Sequence, residues 1–519
     1  MAAVRPKPAI VFIGFMGAGK SNAARAAAER LGEEALDADE EIERELGEPI
    51  ASFFEREGEG AFRDREERVA LELLERGGVV SLGGGAVESE RVREAVRHSV
   101  GVWCRVDEET AWERSRDTGR PLAADRAEFS RRYRERVPLY EDAARVIVPE
   151  GGHEIGRPAA PWLAALRRHP EVSVAWARSA SGEYPAAVGA GVTELLGESE
   201  VADEIEVSRW FAIADAEALR HQHELVPRVD AVIALTGGEE RKTLAEAERV
   251  LRELAGAGAR RDDGVVAFGG GVVGDLGGFC AASYQRGVPV VHVPTTLVAQ
   301  VDSAYGGKTG VDLPEAKNYV GAYHMPSAVL ADPRALATLP AEELAAGFVE
   351  VLKTALIAGG ALWDRVGGLS SLDSAELSDV VFECALTKVD VVAADERDRG
   401  RRAVLNLGHT IGHAIEAATG YGRYRHGEAV GLGLLATLRL SGADELRDKV
   451  GGILARHGLP TALGNGIGAD EVLAAVELDK KRTAYGVGFV LLERPGEPRT
   501  GVTVDPERVR DAIEELRSG

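Results

Sequence analysis

A glycine-rich segment near the amino terminus carries the residues of a phosphate-binding loop. Gly14, Gly19, Lys20 and Ser21 occupy the fixed positions of the G-x-x-x-x-G-K-[ST] pattern, between an apolar run and an alanine-rich run. Glycines let backbone N–H groups converge on phosphate oxygens, the lysine adds a positive charge, and the serine hydroxyl is a magnesium ligand. The pattern predicts ATP bound with Mg²⁺ and leaves the phosphoryl acceptor open.

Two histidines form the basis of a second centre. His409 and His413 are four residues apart, which places both imidazoles on one face of a helix. The pair lacks the glutamate of the H-E-x-x-H pattern, which argues against a metalloprotease. Glu350 and His426 offer further oxygen and nitrogen donors. From the residues alone, the pattern predicts either a metal site with His409 and His413 as ligands or a helix face whose histidines only form hydrogen bonds.

A third feature is a glycine pattern in the middle of the chain. Gly269, Gly271 and Gly274 fit the G-x-G-x-x-G spacing and follow an apolar strand. The acidic residue expected about 20 positions later is missing, and Pro294-Thr-Thr296 stands there instead. The segment therefore predicts a cradle for a pyrophosphate group but not an ordinary Rossmann domain.

The composition limits what these centres can bind. The 519 residues include 62 lysines and arginines against 85 aspartates and glutamates, a net charge of −23. This balance argues against nucleic-acid and anionic-membrane surfaces. The three cysteines, Cys104, Cys280 and Cys384, are widely spaced and odd in number, which argues against a disulfide framework. Apolar runs are too short to span a bilayer, so we expect a soluble, cytoplasmic protein without nucleic-acid or membrane partners.

The elements that position these residues fall into three regions. Residues 1–168 alternate short apolar strands such as Pro8–Ile13 with helices such as Ser21–Leu31, which predicts a parallel sheet with helices on both faces. Residues 171–335 repeat this α/β pattern, and residues 336–519 are mainly helical, for example over Ala403–Thr419. The predicted fold class is α/β, with a P-loop domain, then a nucleotide-binding lobe, then a helical metal-binding lobe.

Charged residues follow the phosphate-binding loop in a characteristic order. They are Asp37 and Asp39 in Asp37-Ala-Asp39, Arg63 in Phe62–Glu66, the Gly83–Gly85 triplet, Arg120 in Gly119–Leu122, and Arg136 in Arg136–Tyr140. On these motifs, residues 8–165 resemble shikimate kinase. The resemblance implies ATP-dependent phosphorylation of shikimate to shikimate 3-phosphate.

The resemblance also implies roles on the acceptor side. Asp39 would bind the shikimate hydroxyls and act as the base for the attacking one. Arg63 and Arg136 would hold the shikimate carboxylate, a bidentate contact that suits guanidinium groups. The backbone that would close on the ring is that of Gly83, Gly84 and Gly85.

On the nucleotide side, the same resemblance implies that Ser21 and Asp37 hold magnesium. Lys20 and Arg120, the latter on a mobile lid, would steady the transferring phosphoryl group. The residues that would contact ATP are Gly17, Ala18, Gly19, Lys20, Ser21, Asn22 and Arg120.

A second series of motifs runs through the rest of the chain. It comprises Gly269–Asp275, Pro294–Thr296, Asp302–Lys308, Glu350–Lys353, Leu405–His413 and His426–Glu428. From about Gly237 to Leu492, these motifs resemble 3-dehydroquinate synthase. The resemblance implies an NAD- and metal-dependent conversion of 3-deoxy-D-arabino-heptulosonate 7-phosphate to 3-dehydroquinate and phosphate.

This resemblance implies that Glu350, His409 and His426 bind Zn²⁺ or Co²⁺, with His413 as a hydrogen-bonding partner. Three protein ligands leave positions on the ion open to substrate, as a catalytic site requires. The residues that would contact NAD are Glu239, Lys242, Gly271, Val272, Val273, Gly274, Asp275, Thr295, Thr296, Lys308 and Lys317.

Basic and amide side chains would bind the phosphate and carboxylate of the substrate. They are Lys308, Asn318, Lys353, Lys388, Arg402, Asn406 and one of Lys480 and Lys481. Arg286 corresponds to an arginine that reaches the phosphate from the neighbouring subunit, which implies a homodimer.

The two resemblances together predict a bifunctional fusion. The alternative is a P-loop small-molecule kinase fused to a metal-dependent polyol dehydrogenase. Lys308, Lys317, Lys353 and Arg402 argue against this alternative, because a neutral polyol needs no phosphate-binding cations.

Overall fold

The structure is a computed structural model that describes residues 7–116, 125–149, 151–372, 374–464, 466–482 and 488–517. The chain divides into two compact units. The first comprises the residues through Arg178 together with Tyr184–Ser208, and the second comprises Ser179–Glu183 and the residues from Arg209 onward. The sequence-based limits at residues 168, 171 and 335 remain predictions.

The first unit alternates strands and helices. Its strands are β1 (Ile10–Ile13), β2 (Ala35–Asp37), β3 (Val79–Ser81), β4 (Val100–Cys104), β5 (Val146–Val148), β6 (Ser173–Ser179) and β7 (Gly182–Val188). Its helices are α1 (Lys20–Leu31), α2 (Ala38–Leu46), α3 (Ile50–Arg76), α4 (Glu90–Arg97), α5 (Glu108–Ser115), α6 (Arg126–Ala143), α7 (Gly152–Leu166) and α8 (Ser199–Ile205).

The sheet of the first unit has the strand order β2-β3-β1-β4-β5-β6-β7, and the pairs from β2 to β6 are parallel. The four residues of β1 are almost completely buried, which explains why this central strand is a continuous apolar run. The carboxyl ends of parallel strands lie along one edge, so the loops that follow Ile13, Asp37 and Ser81 meet there. The predicted parallel α/β fold is confirmed.

The second unit begins with α/β elements and continues with helices. Its strands are β8 (Trp210–Asp215), β9 (Ala231–Leu235), β10 (Gly264–Gly269), β11 (Val290–Pro294), β12 (Lys308–Leu313), β13 (Ala316–Tyr323), β14 (Ala328–Ala331), β15 (Phe489–Leu492) and β16 (Pro498–Val502). Its helices are α9 (Ala216–Gln222), α10 (Leu244–Gly256), α11 (Gly271–Ser283), α12 (Ala341–Ala358), α13 (Gly360–Gly368), α14 (Ser374–Ala394), α15 (His409–Ala418), α16 (His426–Leu440), α17 (Asp444–Arg456), α18 (Ala469–Arg482) and α19 (Pro506–Glu515).

Strands β14-β11-β10-β8-β9 form a parallel sheet, and β12-β13 and β15-β16 form antiparallel pairs. The α/β lobe followed by a mainly helical segment is confirmed. The helical stretch predicted over Ala403–Thr419 is divided in two in the structure. A 3₁₀ helix ends at Asn406, and α15 begins only at His409, because Gly408 between them is left-handed with φ of 78°. Across the described residues, we find no helix with both the length and the apolar character needed to cross a membrane.

Two candidate active sites

The loop between β1 and α1 depends on glycines with positive φ. Gly17 and Gly19 have φ of 78° and 82°. A Cβ atom on Gly14 would lie 2.5 Å from a carbonyl oxygen of β4. Helix α1 begins at Lys20, whose Nζ donates to the carbonyl of Phe15 at 3.1 Å. The loop therefore brings a lysine to the amino end of a helix, where the helix dipole favours phosphate.

Ser81 connects the two residues predicted to hold magnesium. The hydroxyl of Ser21 lies 3.2 Å from that of Ser81, and Ser81 stands opposite Asp37 in the β2–β3 register. The carboxylate of Asp37 accepts hydrogen bonds from the N–H groups of Asp39 and Glu40 at 3.0 and 3.4 Å, which caps α2. Ser21 and Asp37 therefore lie at the same sheet edge, and both are next to Ser81, a residue that the sequence motifs did not single out.

The Gly83–Gly85 turn lies against the predicted acceptor residues. A Cβ atom on Gly83 would lie 3.0 Å from Oδ1 of Asp39, and one on Gly85 would lie 2.0 Å from Nη1 of Arg63. A side chain on either glycine would displace these groups, so the turn, Asp39 and Arg63 form one cluster.

Two acidic residues that the motif comparison did not single out complete this cluster. Arg136 is only 1% exposed, and its Nε lies 2.8 Å from Oε1 of Glu88. Arg63 forms an ion pair with Glu66, which is also buried. Burial raises the pKa of Glu66 above its ordinary value, although the Arg63 guanidinium lowers it. In the sequence, Arg63 and Glu66 look like an exposed i, i+3 helix pair, so no signal indicated that Glu66 is buried and Arg63 half-buried.

In the second unit, a glutamate and three histidines converge. Nε2 of His409 and Nε2 of His426 lie 3.5 and 3.6 Å from Oε1 of Glu350. Possible ligand atoms of His409, His413 and His426 lie within 4.8 Å of one another. Ligand atoms around a tetrahedral zinc ion are about 3.4 Å apart, so the distances of 3.5 and 3.6 Å between Glu350 and the two histidines fit one shared ion. Oε1 of Glu350 is buried and has no hydrogen-bond partner within the described ranges of the chain, so it is available to a cation.

The charges around this cluster suit a metal. Burial alone would raise the pKa of Glu350, but Lys353, with Nζ 2.5 Å from Oε2, and His409 hold it well below its ordinary value. Burial lowers the pKa of His409 to about 3. Burial also opposes protonation of His426, but the carboxylates of Glu350 and Glu416 raise its pKa to about 10. An ionised carboxylate and a neutral imidazole are ready to bind a cation, which would displace the His426 proton.

Buried cations lie near the metal cluster. Lys353 is 1% and Lys388 6% exposed; Lys388 forms an ion pair with Asp302, and Nζ of Lys353 lies 4.0 Å from the same carboxylate. Arg402 is 3% exposed and donates to two backbone carbonyls, one of them that of Gly306 at 3.4 Å. Buried cations with so few acidic partners favour an anionic ligand.

The other predicted substrate residues are more exposed. Lys308 forms an ion pair with Asp398, and Asn406 ends the 3₁₀ helix that precedes α15. Asn318 and Arg286 have positive φ values of 54° and 73°, and both are exposed. The role of Arg286 toward a second subunit remains a prediction.

The predicted NAD cradle lies where β10 leads into α11. A Cβ atom on Gly270 would lie 2.9 Å from Cγ2 of Thr296, and the N–H of Thr295 donates to the carbonyl of Gly269 at 3.0 Å. Gly271 and Val272 at the amino end of α11 are only partly buried, and the N–H groups at such a helix end favour a phosphate group. The first turn of α11 contains Gly271, Val272, Val273 and Gly274.

Ion pairs extend from this cradle. Nζ of Lys242, which is 3% exposed, lies 2.9 Å from Oδ2 of Asp275. Lys317 lies 3.4 Å from Glu239. These four predicted residues therefore form two neighbouring pairs, linked because Glu239 also lies 3.7 Å from Lys242.

Comparison with known proteins decides the family. Residues 232–346 and 347–482 match the models for 3-dehydroquinate synthase N-terminal and C-terminal, and residues 16–165 match the model for shikimate kinase. The 3-dehydroquinate synthase of Symbiobacterium thermophilum is 42% identical over 353 residues, which cover 64% of this chain and 98% of that protein. The chain belongs to the 3-dehydroquinate synthase family. It also carries a shikimate kinase domain, so the predicted fusion is confirmed and the polyol dehydrogenase alternative is not supported.

Solved structures resemble the synthase portion. A 2-deoxy-scyllo-inosose synthase complexed with carbaglucose-6-phosphate, NAD⁺ and Co²⁺ is 27% identical, with a TM-score of 0.58, and the match covers 66% of this chain and 99% of that one. A 2-epi-5-epi-valiolone synthase from Streptomyces hygroscopicus subsp. jinggangensis, with NAD⁺ and Zn²⁺ bound, is also 27% identical, with a TM-score of 0.57; this match covers 64% and 96%.

Some predicted residues add little to the geometry. Ala18 is buried in the phosphate-binding loop, and Asn22 is exposed in the first turn of α1. Arg120 lies outside the described residues, and so do the side chains of Lys480 and Lys481.

Proposed function

We propose residue roles for a bifunctional enzyme of aromatic amino-acid biosynthesis. It phosphorylates shikimate with ATP and converts 3-deoxy-D-arabino-heptulosonate 7-phosphate to 3-dehydroquinate and phosphate. We assign the first reaction to residues 1–168 and the second to residues 171–335 and 336–519 together.

In the kinase site, Arg63 and Arg136 hold the shikimate carboxylate and orient the ring over the Gly83–Gly85 turn. Asp39 accepts the proton of the attacking hydroxyl, because its carboxylate lies beside this turn. Lys20 and Arg120 neutralise charge on the transferring phosphoryl group, and Ser21 and Asp37 serve the magnesium ion.

In the synthase site, Glu350, His409 and His426 hold a divalent ion, and the cradle at Gly271–Asp275 holds NAD. The bound ion supplies Lewis acidity, and NAD supplies a hydride acceptor that is restored at the end of the cycle. Lys353, Lys388 and Arg402 bind the phosphate and carboxylate of the substrate. Their burial excludes water and fixes the substrate relative to both cofactors.

The convergence of Glu350, His409 and His426 beside Lys353 supports the synthase assignment most directly. The test measures phosphate release from the sugar acid with catalytic NAD, and ADP formation with shikimate, on one preparation. We expect both activities without net NADH. Stoichiometric accumulation of NADH would instead indicate a dehydrogenase.

We further propose a homodimer in which Arg286 serves the partner subunit's active site. The variants Arg286→Ala and Lys353→Ala, each with little synthase activity alone, are co-expressed with different tags and purified as heterodimers. A heterodimer would contain one site with both residues intact, so activity should reappear. If Arg286 acts within its own subunit, both sites stay defective and the heterodimer is inactive.

A further inference from the structure

Glu88 contacts both arginines of the kinase site. Its Oε1 lies 2.8 Å from Nε of Arg136, and its Oε2 lies 3.3 Å from Nε of Arg63. One carboxylate therefore joins two cations that are 73 residues apart in the chain (136 − 63). Glu88 lies outside all the motifs on which the two family resemblances rest.

The backbone holds Glu88 firmly at this position. Residues Ala86–Glu88 form a short 3₁₀ helix directly after the glycine turn. The N–H of Glu88 donates to the carbonyl of Gly85 at 2.9 Å, and its carbonyl accepts from Nη1 of Arg93 at 3.2 Å. Because the N–H and the carbonyl of Glu88 are both hydrogen-bonded, the backbone from which its side chain extends is fixed relative to the glycine turn.

Glu88 approaches each guanidinium group on its Nε side. Glu88 accepts a hydrogen bond from Nε of Arg136 and forms an ion pair with Arg63. Nε of Arg63 and Nη2 of Arg136 are both buried and have no hydrogen-bond partner in the described part of the chain. A buried N–H group of a charged residue is costly to leave unpaired. The orphaned Nη2 is therefore an atom that an anionic ligand would satisfy.

We propose that Glu88 is a positioning residue of the kinase: it binds Nε of Arg136 and pairs with Arg63, so that Arg136 directs Nη2 toward the carboxylate of the acceptor. This inference rests on the proposed shikimate kinase function. Glu88 acts through the two arginines and does not itself touch the reacting atoms.

Two other roles for Glu88 would give different kinetic results. If Glu88 instead occupied the place of the substrate carboxylate, it would compete with shikimate, and its removal would lower KM. If it only supported the fold, its removal would change thermal stability, kcat and the KM for ATP together.

The test compares Glu88→Gln, Glu88→Asp and the matched control Glu94→Gln in the full chain. Glu94 is an exposed carboxylate on α4 that pairs with Arg97. Glu88→Gln should raise the KM for shikimate about tenfold while kcat and the KM for ATP change less than about twofold. Glu88→Asp, which keeps the charge but is one methylene shorter, should give a smaller increase. Glu94→Gln should match the wild type.

Synthase activity and thermal stability of each variant provide internal controls and should not change. A KM for shikimate that is unchanged or lowered in Glu88→Gln overturns the proposal, as does a parallel change in kcat, both KM values and stability. If the wild-type chain itself fails to phosphorylate shikimate, the proposed kinase function fails first, and this inference fails with it.

Discussion

The carboxylate of Glu416 lies 3.4 Å from Nδ1 of His426, while Nε2 of the same imidazole lies 3.6 Å from Glu350. Each ring nitrogen therefore faces its own carboxylate. A carboxylate at the outer nitrogen of a metal-binding histidine fixes the tautomer and the ring orientation. Glu416 is 8% exposed and was not among the residues predicted from the sequence.

Replacing Glu416 with Gln should weaken metal binding. The amide lacks the charge that holds the Nδ1 proton, so zinc affinity should fall about 10- to 100-fold. Zinc titration of the apoprotein against a chromophoric chelator measures this change without an activity assay. Glu445→Gln, on an exposed position of α17, is the control and should leave the affinity unchanged. Equal affinities for wild type and Glu416→Gln would contradict the role of Glu416.

Replacing Lys20 with Ala should separate the two activities. The lysine is the cation at the phosphate-binding loop, so ADP formation with shikimate should fall by at least about 100-fold. Phosphate release by the synthase site should continue at the wild-type rate. Loss of both activities with unchanged thermal stability would show that the two sites depend on each other.

Motifs of fixed spacing were the part of the site that the sequence predicted well. The phosphate-binding loop requires glycine at positive φ and a lysine at the start of a helix, and Gly17, Gly19 and Lys20 meet both requirements. Likewise, Thr243 and Glu246 have the T-x-x-E spacing of a helix amino terminus, and the Thr243 hydroxyl accepts from the N–H of Glu246 at 3.2 Å at the start of α10. Such local rules depend on neighbouring residues only.

Residues that act through tertiary contacts gave no comparable signal. Ser81, Glu88 and Glu416 reach their partners across 60, 48 and 10 residues of sequence. The β12–β13 hairpin was missed because the residues of β13 are mostly exposed and do not alternate regularly between polar and apolar types. Isolated acidic residues and polar strands are common on surfaces, so only the structure distinguishes those that matter here.

Replacing Gly83 with Ala should disable the acceptor side of the kinase. The added Cβ would lie 2.2 Å from Oε1 of the buried Glu66 and 3.0 Å from Oδ1 of the exposed Asp39, so the Glu66 carboxylate would have to move and Asp39 would be crowded. We expect kcat/KM for shikimate to fall at least about 100-fold, since small displacements of positioning groups are costly in catalysis. Nucleotide affinity, measured by titration with a fluorescent ATP analogue, should change little.

The matched control is Gly60→Ala on α3. Apart from the adjacent residues and the backbone of the helix itself, no atom of the described chain lies within 4 Å of a Cβ atom at this position, and alanine favours a helix by about 1 kcal/mol over glycine. This variant should keep full kinase activity with equal or higher stability. If Gly83→Ala behaved like Gly60→Ala, the turn would not be packed against Asp39 as described.

The buried imidazole of His292 should make the synthase portion sensitive to acid. His292 lies on β11 and is 5% exposed, and its Nδ1 has no hydrogen-bond partner among the described residues. Burial, with a smaller effect of His324, lowers its pKa from 6.5 to about 4. The unfolded chain therefore binds a proton that the folded chain does not bind. The stability that depends on the neutral ring is complete above pH 6.5 and is lost as the pH falls toward 4, by about 3 kcal/mol in total.

The variant His292→Gln removes this proton uptake. Between pH 7.5 and 5.0, its free energy of unfolding should fall by about 2 kcal/mol less than that of the wild type, because about 1.5 pH units of this interval lie below 6.5. Urea denaturation at both pH values, fitted to the transition that coincides with loss of synthase activity, measures the difference. His223→Gln, whose side chain is 81% exposed, should follow the wild type. Parallel losses in wild type and His292→Gln would mean that acid sensitivity arises from other groups, because a histidine that is neutral in the folded state must contribute the full difference.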